Sequence, residues 1–332
     1  MSAPPVVVLG VWRSGTTLLK EILDHHSRLA IPGESNFLPG LWVRWRARPD
    51  VDRILADVDC VPQLREWGVR AADIRTSLPE RPSFSDVVRA LYQRYADDRG
   101  KPRFGDRTPH YMRHLKLLEH AFDCPRYVHI VRDGRDAALS FAGIRARRRP
   151  RWIWPRGIVD FACRWREEVA AARGLGATVG PARYLELRYE DLVRSPESIV
   201  RDVCAFLDLP FESGMLEFHR RSDLVADANH RRLAEPVSPG GRDWRREMSP
   251  ADVRSFEAIA GPLLGDLGYE RSAPAAAFDR ARCLPARAAS RARLATAIPV
   301  PLFRRSFLWR VRQRQRCRRL NSARTRAGRA RS

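Results

Sequence analysis

The sequence predicts an α/β fold: a mostly parallel central sheet with helices on both faces, closed as one large domain. Three observations predict it. Short apolar runs at residues 6–9 and 127–131, and a third strand segment at 184–189, have the length and the β-branched or aromatic content of parallel strands. Each run passes through a turn or charged segment into residues with helical spacing, which is the strand–turn–helix order of a parallel sheet. With 332 residues and 44% apolar content, the chain can bury a core of that size.

The first run carries the strongest chemical signal. Val6, Val7, Val8 and Leu9 lead into a turn bounded by Gly10 and Gly15, and Thr16 opens a helix with Leu18, Leu19, Ile22 and Leu23 on one side. A strand, a glycine loop and a helix N-terminus together build a phosphate cradle. Loop N–H groups converge on an anion, and the helix adds its partial positive charge. A nucleoside-triphosphate loop reads G-x-x-x-x-G-K-[ST]. Here Thr16 takes the place of that lysine, which argues against a grip on a γ-phosphate. Arg13 lies inside the loop instead. Arg13, Ser14, Gly15, Thr16 and Thr17 therefore form a cradle for one compact anionic group with a fixed cation on it.

Arg-Ser-Gly-Thr-Thr-Leu-Leu after a leading strand resembles the 5′-phosphosulfate loop of sulfotransferases that use 3′-phosphoadenylyl sulfate (PAPS). The resemblance is to the large bacterial sulfotransferase group and to the tyrosylprotein sulfotransferases; the cytosolic steroid and phenol enzymes have lysine where this chain has Arg13. It implies a P-loop-like three-layer sandwich, PAPS as donor co-substrate and no metal.

The remaining segments follow in order. Residues 29–31 form a short second strand stopped by Pro32 and Gly33, and Glu34 then sits in a βα loop, where open α/β sheets bind ligands. The tyrosylprotein enzymes carry a catalytic glutamate twenty-one residues after the loop arginine, and Glu34 has that spacing from Arg13. The resemblance thus implies that Glu34 is the general base; Asp106, His26 and His110 are rival bases. Residues 40–95 read as two or three helices broken near Gly68, Pro79 and Pro82, an insertion placed to shape an acceptor pocket. Asp106-Arg107-Thr108-Pro109 resembles an Asp-Lys-Thr-Pro-like element whose lysine contacts the transferring group. That role falls to Arg107 here, with Asp106 expected to orient Arg107 or to cap a helix starting near His110.

After the strand at 127–131, Arg132 and Ser140 are eight residues apart across a turn and into a helix. A guanidinium and a hydroxyl at that spacing can fold back onto one phosphate. In the family an arginine and a serine at this separation hold the 3′-phosphate. His129, inside the strand, reads as a satisfied core histidine. Residues 145–156 form a basic, aromatic loop that could gate the site or attract an anionic acceptor. Arg188-Tyr189-Glu190-Asp191-Leu192 resembles a family element whose tyrosine lies beside the adenosine, which assigns Tyr189 to cofactor binding. Arg231, Arg232 and the loop at 240–242 are placed to cover the cofactor. Glu235 stands where the tyrosylprotein enzymes have a lysine before Pro-Val, so the last 3′-phosphate contact in the 230–245 loop stays open.

Composition adds bounds. The net charge is +22, but residues 271–332 hold 18 arginines and one acidic residue, a net +17, leaving +5 for the rest. The expected organisation is a sulfotransferase domain over 1–270 and an Arg/Ala-rich tail over 271–332. Basic residues beside Phe303, Phe307 and Leu308 suit an anionic membrane surface, nucleic acid held without sequence preference, or a solvated tail. Of the first two, the membrane surface is the expected partner and nucleic acid is not. There is no run of 18 apolar residues. The first residues lack a signal-peptide pattern, and the six scattered cysteines show no C-x-x-C pair. A cytoplasmic location with reduced thiols is the expectation. Two other function classes stay open: a Mg-dependent nucleotide phosphotransferase with a degenerate loop, and a non-catalytic anion-binding protein. The acceptor, whether sugar, lipid, peptide or small metabolite, is not encoded in any motif.

Overall fold

The computed structural model describes residues 3–45, 50–147, 154–220, 231–238 and 241–272, together with positions 284, 285, 288 and 292. Five strands make one sheet: β1 (Val6–Leu9), β2 (Leu29–Ala30), β3 (Arg103–Asp106), β4 (Arg126–Val131) and β5 (Tyr184–Arg188). Their spatial order is β2-β3-β1-β4-β5, with every neighbouring pair parallel. Val6 pairs with Gly105 on one side and Arg126 on the other, so β1 is the central strand. The chain runs from β1 to the β2 edge and returns through β3, then crosses to β4 and β5. That reversal beside β1 is a topological switch point, where α/β sheets open a ligand crevice at the C-terminal strand ends.

Thirteen α-helices are described: α1 (Thr16–Asp24), α2 (Leu38–Trp45), α3 (Val51–Val58), α4 (Pro62–Glu66), α5 (Ala71–Ile74), α6 (Phe84–Asp97), α7 (Leu115–Ala121), α8 (Gly134–Arg147), α9 (Ile158–Val179), α10 (Tyr189–Arg194), α11 (Pro196–Phe206), α12 (Trp244–Glu247) and α13 (Pro250–Asp266). Side chains alternate across the sheet with period two. Val7, Leu9, Tyr127 and Val131 face one core with Tyr92 of α6, Leu118 of α7, Trp165 of α9 and Phe256 of α13. Val6, Val8, Val128 and Ile130 face the other with Leu19 and Ile22 of α1 and Val200 and Val203 of α11. With both faces covered, β1 is apolar throughout, as its sequence requires.

Local signals set several helix ends. Ser83 and Asp86 form a capping box at α6, and Ser249 caps α13 ahead of Pro250 at its first position. Three expectations are corrected. Residues 40–95 hold most of α2, the whole of α3 to α5 and most of α6, plus a 3-10 turn at Arg75–Ser77, where two or three helices were expected. β3 is a strand that no apolar run announces. The helix expected to start near His110 divides into a 3-10 segment, Pro109–Arg113, followed by α7. Among the described residues no helix is long and apolar enough to cross a membrane. Most of residues 271–332, and residues 148–153 of the basic loop, lie outside the described residues.

Candidate active site

The loop between β1 and α1 is bent by two left-handed residues. Arg13 has φ 72° and Gly15 has φ 95°. Alternating hand turns successive N–H groups to one side, which makes an anion-binding concavity. A side chain at Gly15 would also collide with Tyr189, whose ring carbon lies 2.4 Å from the Cβ position. Gly10 is equally confined, with Thr16 at 2.6 Å and the Ile130 carbonyl at 2.8 Å. The first turn of α1 carries no side-chain cap at Gly15 and no acidic residue, so nothing on the helix itself offsets its positive end. Ser14 Oγ is buried without a hydrogen-bond partner.

The second anion holder meets this loop. Arg132 follows β4 directly, and its Nη1 donates to the Arg13 carbonyl at 3.3 Å. Ser140, one turn and a half into α8, accepts from Arg13 Nε at 2.9 Å. Arg132 and Ser140 therefore both touch residue 13, on the same side of the sheet. Tyr189 at the start of α10 lies under the Arg132 guanidinium, 4.6 Å from its ring centre. The backbone around Arg132 is braced on both sides. Trp165 Nε1 donates to the Arg132 carbonyl at 3.2 Å, and the next N–H donates to Glu190 Oε1 at 3.0 Å. Tyr269 holds the other Glu190 oxygen at 2.9 Å.

On the opposite side of β1, Arg107 Nη1 donates to Glu34 Oε1 at 2.6 Å. Asn36, in the left-handed region at φ 52°, donates to Glu34 Oε2 at 3.3 Å. The Glu34 side chain is 45% exposed and that of Arg107 is 9% exposed, so the carboxylate faces solvent over a sunken cation. The rival bases separate on geometry. Asp106 is 1% exposed and accepts from Tyr92, Ser35 and Thr108, so it neither orients Arg107 by a hydrogen bond nor caps a helix. Burial pushes its carboxyl up to about 6 despite these donors. His26 is fully buried with both ring nitrogens occupied, by the Pro210 carbonyl and the Arg28 N–H. Burial, with help from His114, Arg164 and Arg113, lowers His110 to about 3, and it stays neutral. His129 is a fully buried core histidine, as expected, but only half satisfied: Nδ1 meets the Tyr184 hydroxyl at 2.6 Å, while Nε2 has no hydrogen-bond partner.

Each strand thus delivers one residue at its C-terminal end. In sheet order they read Glu34 (β2), Arg107 (β3), Arg13 (β1), Arg132 (β4) and Tyr189 (β5). Neighbours touch at three of the four steps: Glu34 with Arg107, Arg13 with Arg132, and Arg132 with Tyr189. Buried donors without a partner sit along this row: Ser14 Oγ, Arg107 Nε and Arg132 Nε. Desolvated donors of this kind call for acceptors, and an elongated ligand with anionic groups along its length supplies them. The covering residues are outside this picture: the side chains of Arg231 and Arg232 and residues 239–240 are not among those described, and Arg242 is paired with Glu247. Two further sets of residues escaped the sequence reading. One is the Ser35, Tyr92, Asp106, Thr108 and Tyr111 cluster. The other is the Glu190–Tyr269 brace, whose glutamate lay inside a quoted motif but whose tyrosine gave no signal.

Comparison with known proteins gives the family and the fold. A sulfotransferase family model matches residues 4–213. A protein of Aquifex aeolicus is 26% identical over 254 residues, 74% of this chain, and the match spans 31% of that relative's length. Protein-tyrosine sulfotransferase A of Caenorhabditis elegans is 24% identical over 285 residues, covering 82% of this chain and 69% of the relative. Among solved structures, the sulfotransferase domain from the Synechococcus PCC 7002 olefin synthase superposes with a TM-score of 0.59 and 24% identity, over 81% of this chain and 97% of that one. That likeness fixes the fold, and the family model covers well over half of the chain. The chain belongs to the sulfotransferase family.

Proposed function

We propose that this protein transfers a sulfuryl group from PAPS to a hydroxyl or amine acceptor by in-line displacement. The observation that carries this reading is the ordered row of Glu34, Arg107, Arg13, Arg132 and Tyr189 along one sheet edge, with its unpartnered buried donors. PAPS supplies a sulfuryl group already activated by its link to a phosphate. Loop residues 13–17 hold the 5′-phosphosulfate end. Arg132 and Ser140 hold the 3′-phosphate, and Tyr189 lies beside the adenosine. Glu34, the exposed carboxylate of the row, takes the acceptor's proton. Arg13 and Arg107 offset the charge that develops on the bridging oxygen and the leaving phosphate, and the loop N–H groups assist.

The catalytic unit in this reading is residues 1–270. The protein acts in the cytoplasm, and the arginine-rich tail beyond brings it to anionic membrane surfaces. Thr16 in the lysine position counts against nucleoside-triphosphate chemistry. The acceptor is of hydroxyl or amine type, and screening acceptor pools with labelled donor identifies it. The test of the mechanism is Glu34→Gln. Transfer falls by roughly 10²–10⁴-fold, while calorimetric binding of adenosine 3′,5′-bisphosphate stays within about twofold of the wild type. Near-normal turnover of this variant rules out Glu34 as the base.

A further inference from the structure

Beneath the Glu34–Arg107 pair lies a sealed polar cluster that takes no part in the transfer chemistry described above. Asp106 Oδ2 accepts three hydroxyls: Tyr92 at 2.7 Å, Ser35 at 2.9 Å and Thr108 at 3.2 Å. The Ser35 hydroxyl also meets the Tyr111 hydroxyl at 2.6 Å, and the Tyr111 oxygen accepts the Leu38 N–H at 3.1 Å. The Ser35 N–H donates to Thr108 Oγ1 at 3.0 Å. Ser35, Asp106, Thr108 and Tyr111 are each no more than 2% exposed. Asp106 Oδ1 makes no hydrogen bond.

Four separate chain segments meet in this cluster: the loop after β2, helix α6, the end of β3 and the 3-10 turn after it. A site this dry stabilises apolar groups better than a carboxyl with an unpaired oxygen. The cluster's placement shows what it does instead. Ser35 is the next residue after Glu34, and Asp106 and Thr108 flank Arg107 on both sides. Every bond of the Ser35 backbone and side chain to Asp106 and Thr108 therefore fixes the Glu34 loop against the Arg107 strand end.

We propose that Asp106, through Ser35 and Thr108, is a positioning residue that holds the Glu34 loop against the Arg107 strand end, so that Glu34 is in the register needed for sulfuryl transfer. This rests on the reading of Glu34 as the base. Reactions of this kind lose rate steeply when a reacting group is displaced by an ångström. The anion cradle is built on the loops after β1 and β4, whereas the cluster joins the segments that carry Glu34 and Arg107, so cutting the cluster is expected to change donor affinity little.

The experiment is a double-mutant cycle between Glu34→Gln and either Ser35→Ala or Asp106→Asn, read with 35S-labelled PAPS and the acceptor fraction that the wild-type chain labels. Ser35→Ala removes one hydroxyl without changing the fold's apolar core, and it serves where Asp106→Asn folds poorly. Each single cluster variant is expected to lower kcat at least tenfold, to leave the donor KM within about twofold, and to keep the calorimetric affinity for adenosine 3′,5′-bisphosphate. Added to Glu34→Gln, neither causes further loss, because the group being positioned is already gone. If the losses multiply instead, or if kcat is unchanged while only the melting temperature falls, the cluster is structural and the proposal is overturned. Near-normal turnover of Glu34→Gln alone is a separate outcome that removes the base itself.

Discussion

Arg13 and Gly15 show how single residues create this site. A non-glycine residue in the left-handed region is strained, and such strain gathers where backbone N–H groups must be aimed. Gly15 has a second constraint, the Tyr189 ring against its Cα. Gly15→Ala should therefore destabilise the fold by about 2 kcal/mol or more and weaken binding of adenosine 3′,5′-bisphosphate at least tenfold. Thermal melts and calorimetry measure the two effects; an alanine variant with unchanged melting temperature and affinity contradicts the geometry. At this scale the sequence was informative wherever a motif kept its residues close together. Arg13 to Thr17, Arg132 and Ser140, picked out by spacing, and Tyr189, picked out by the family resemblance, are brought together at one end of the sheet. Asp106 was read in the right place with the wrong partners. Its true partners, Tyr92 and Ser35, come from segments 14 and 71 residues away. Hydroxyls scattered over four segments leave no periodic signal.

Strands β1 and β4 were legible because they are buried on both faces and hence wholly apolar along most of their length. β3 was not, and its polarity explains why. Arg103 opens the strand and donates to the Pro4 and Leu207 carbonyls, and Asp106 closes it on the hydroxyl cluster. Only Phe104 looks like a core residue in the sequence. The 3-10 turn at Pro109–Arg113 and the junction to α7 carry a second consequence. Burial is the main cause that holds His110 near 3 and His114 near 4, with Arg113 adding repulsion at both. Both histidines take up protons more readily when unfolded, so their contribution is complete above about 6.5 and is lost as pH falls toward the folded values. Asp106 acts in the opposite sense. Its folded value of about 6 lies above the unfolded one, so its contribution is present below about 4 and is lost as pH rises through 6. Replacing His110 and His114 with asparagine should remove roughly 2 kcal/mol per histidine of stability loss between pH 7 and pH 5. Urea midpoints at the two pH values report this; equal losses in wild type and variant contradict it.

Across the whole molecule, the family match ends at residue 213, but the core does not. Phe256 of α13 packs on Trp165 with ring centres 6.0 Å apart. Arg135, fully buried at the start of α8, bonds Asp133 and reaches Glu257 of α13 at 2.6 Å. The segment that follows, with Tyr269 on Glu190 and Ser272 on Glu257, closes back onto the loop that carries Arg132. The change in the sequence after residue 270 is one of charge, from +5 over the residues before it to +17 beyond, whereas this bracing gave no signal, because it is made by isolated polar residues far apart in the chain. The tail's charge of +17 leads to a prediction at the same scale. Removing residues 273–332 should leave bisphosphate binding unchanged and abolish flotation with vesicles containing anionic lipid; flotation of the shortened chain equal to that of the full one contradicts the membrane role. One extended molecule held at two places along the sheet edge is the central claim. Its most direct measurement is calorimetric titration of wild type and Arg132→Ala with adenosine 3′,5′-bisphosphate and with adenosine 5′-monophosphate. The wild type should prefer the bisphosphate by roughly tenfold or more, the value of a charge-assisted contact to the 3′-phosphate, and Arg132→Ala should bind both ligands alike. A wild type that binds neither ligand, or an Arg132→Ala variant that keeps the full preference, would contradict it.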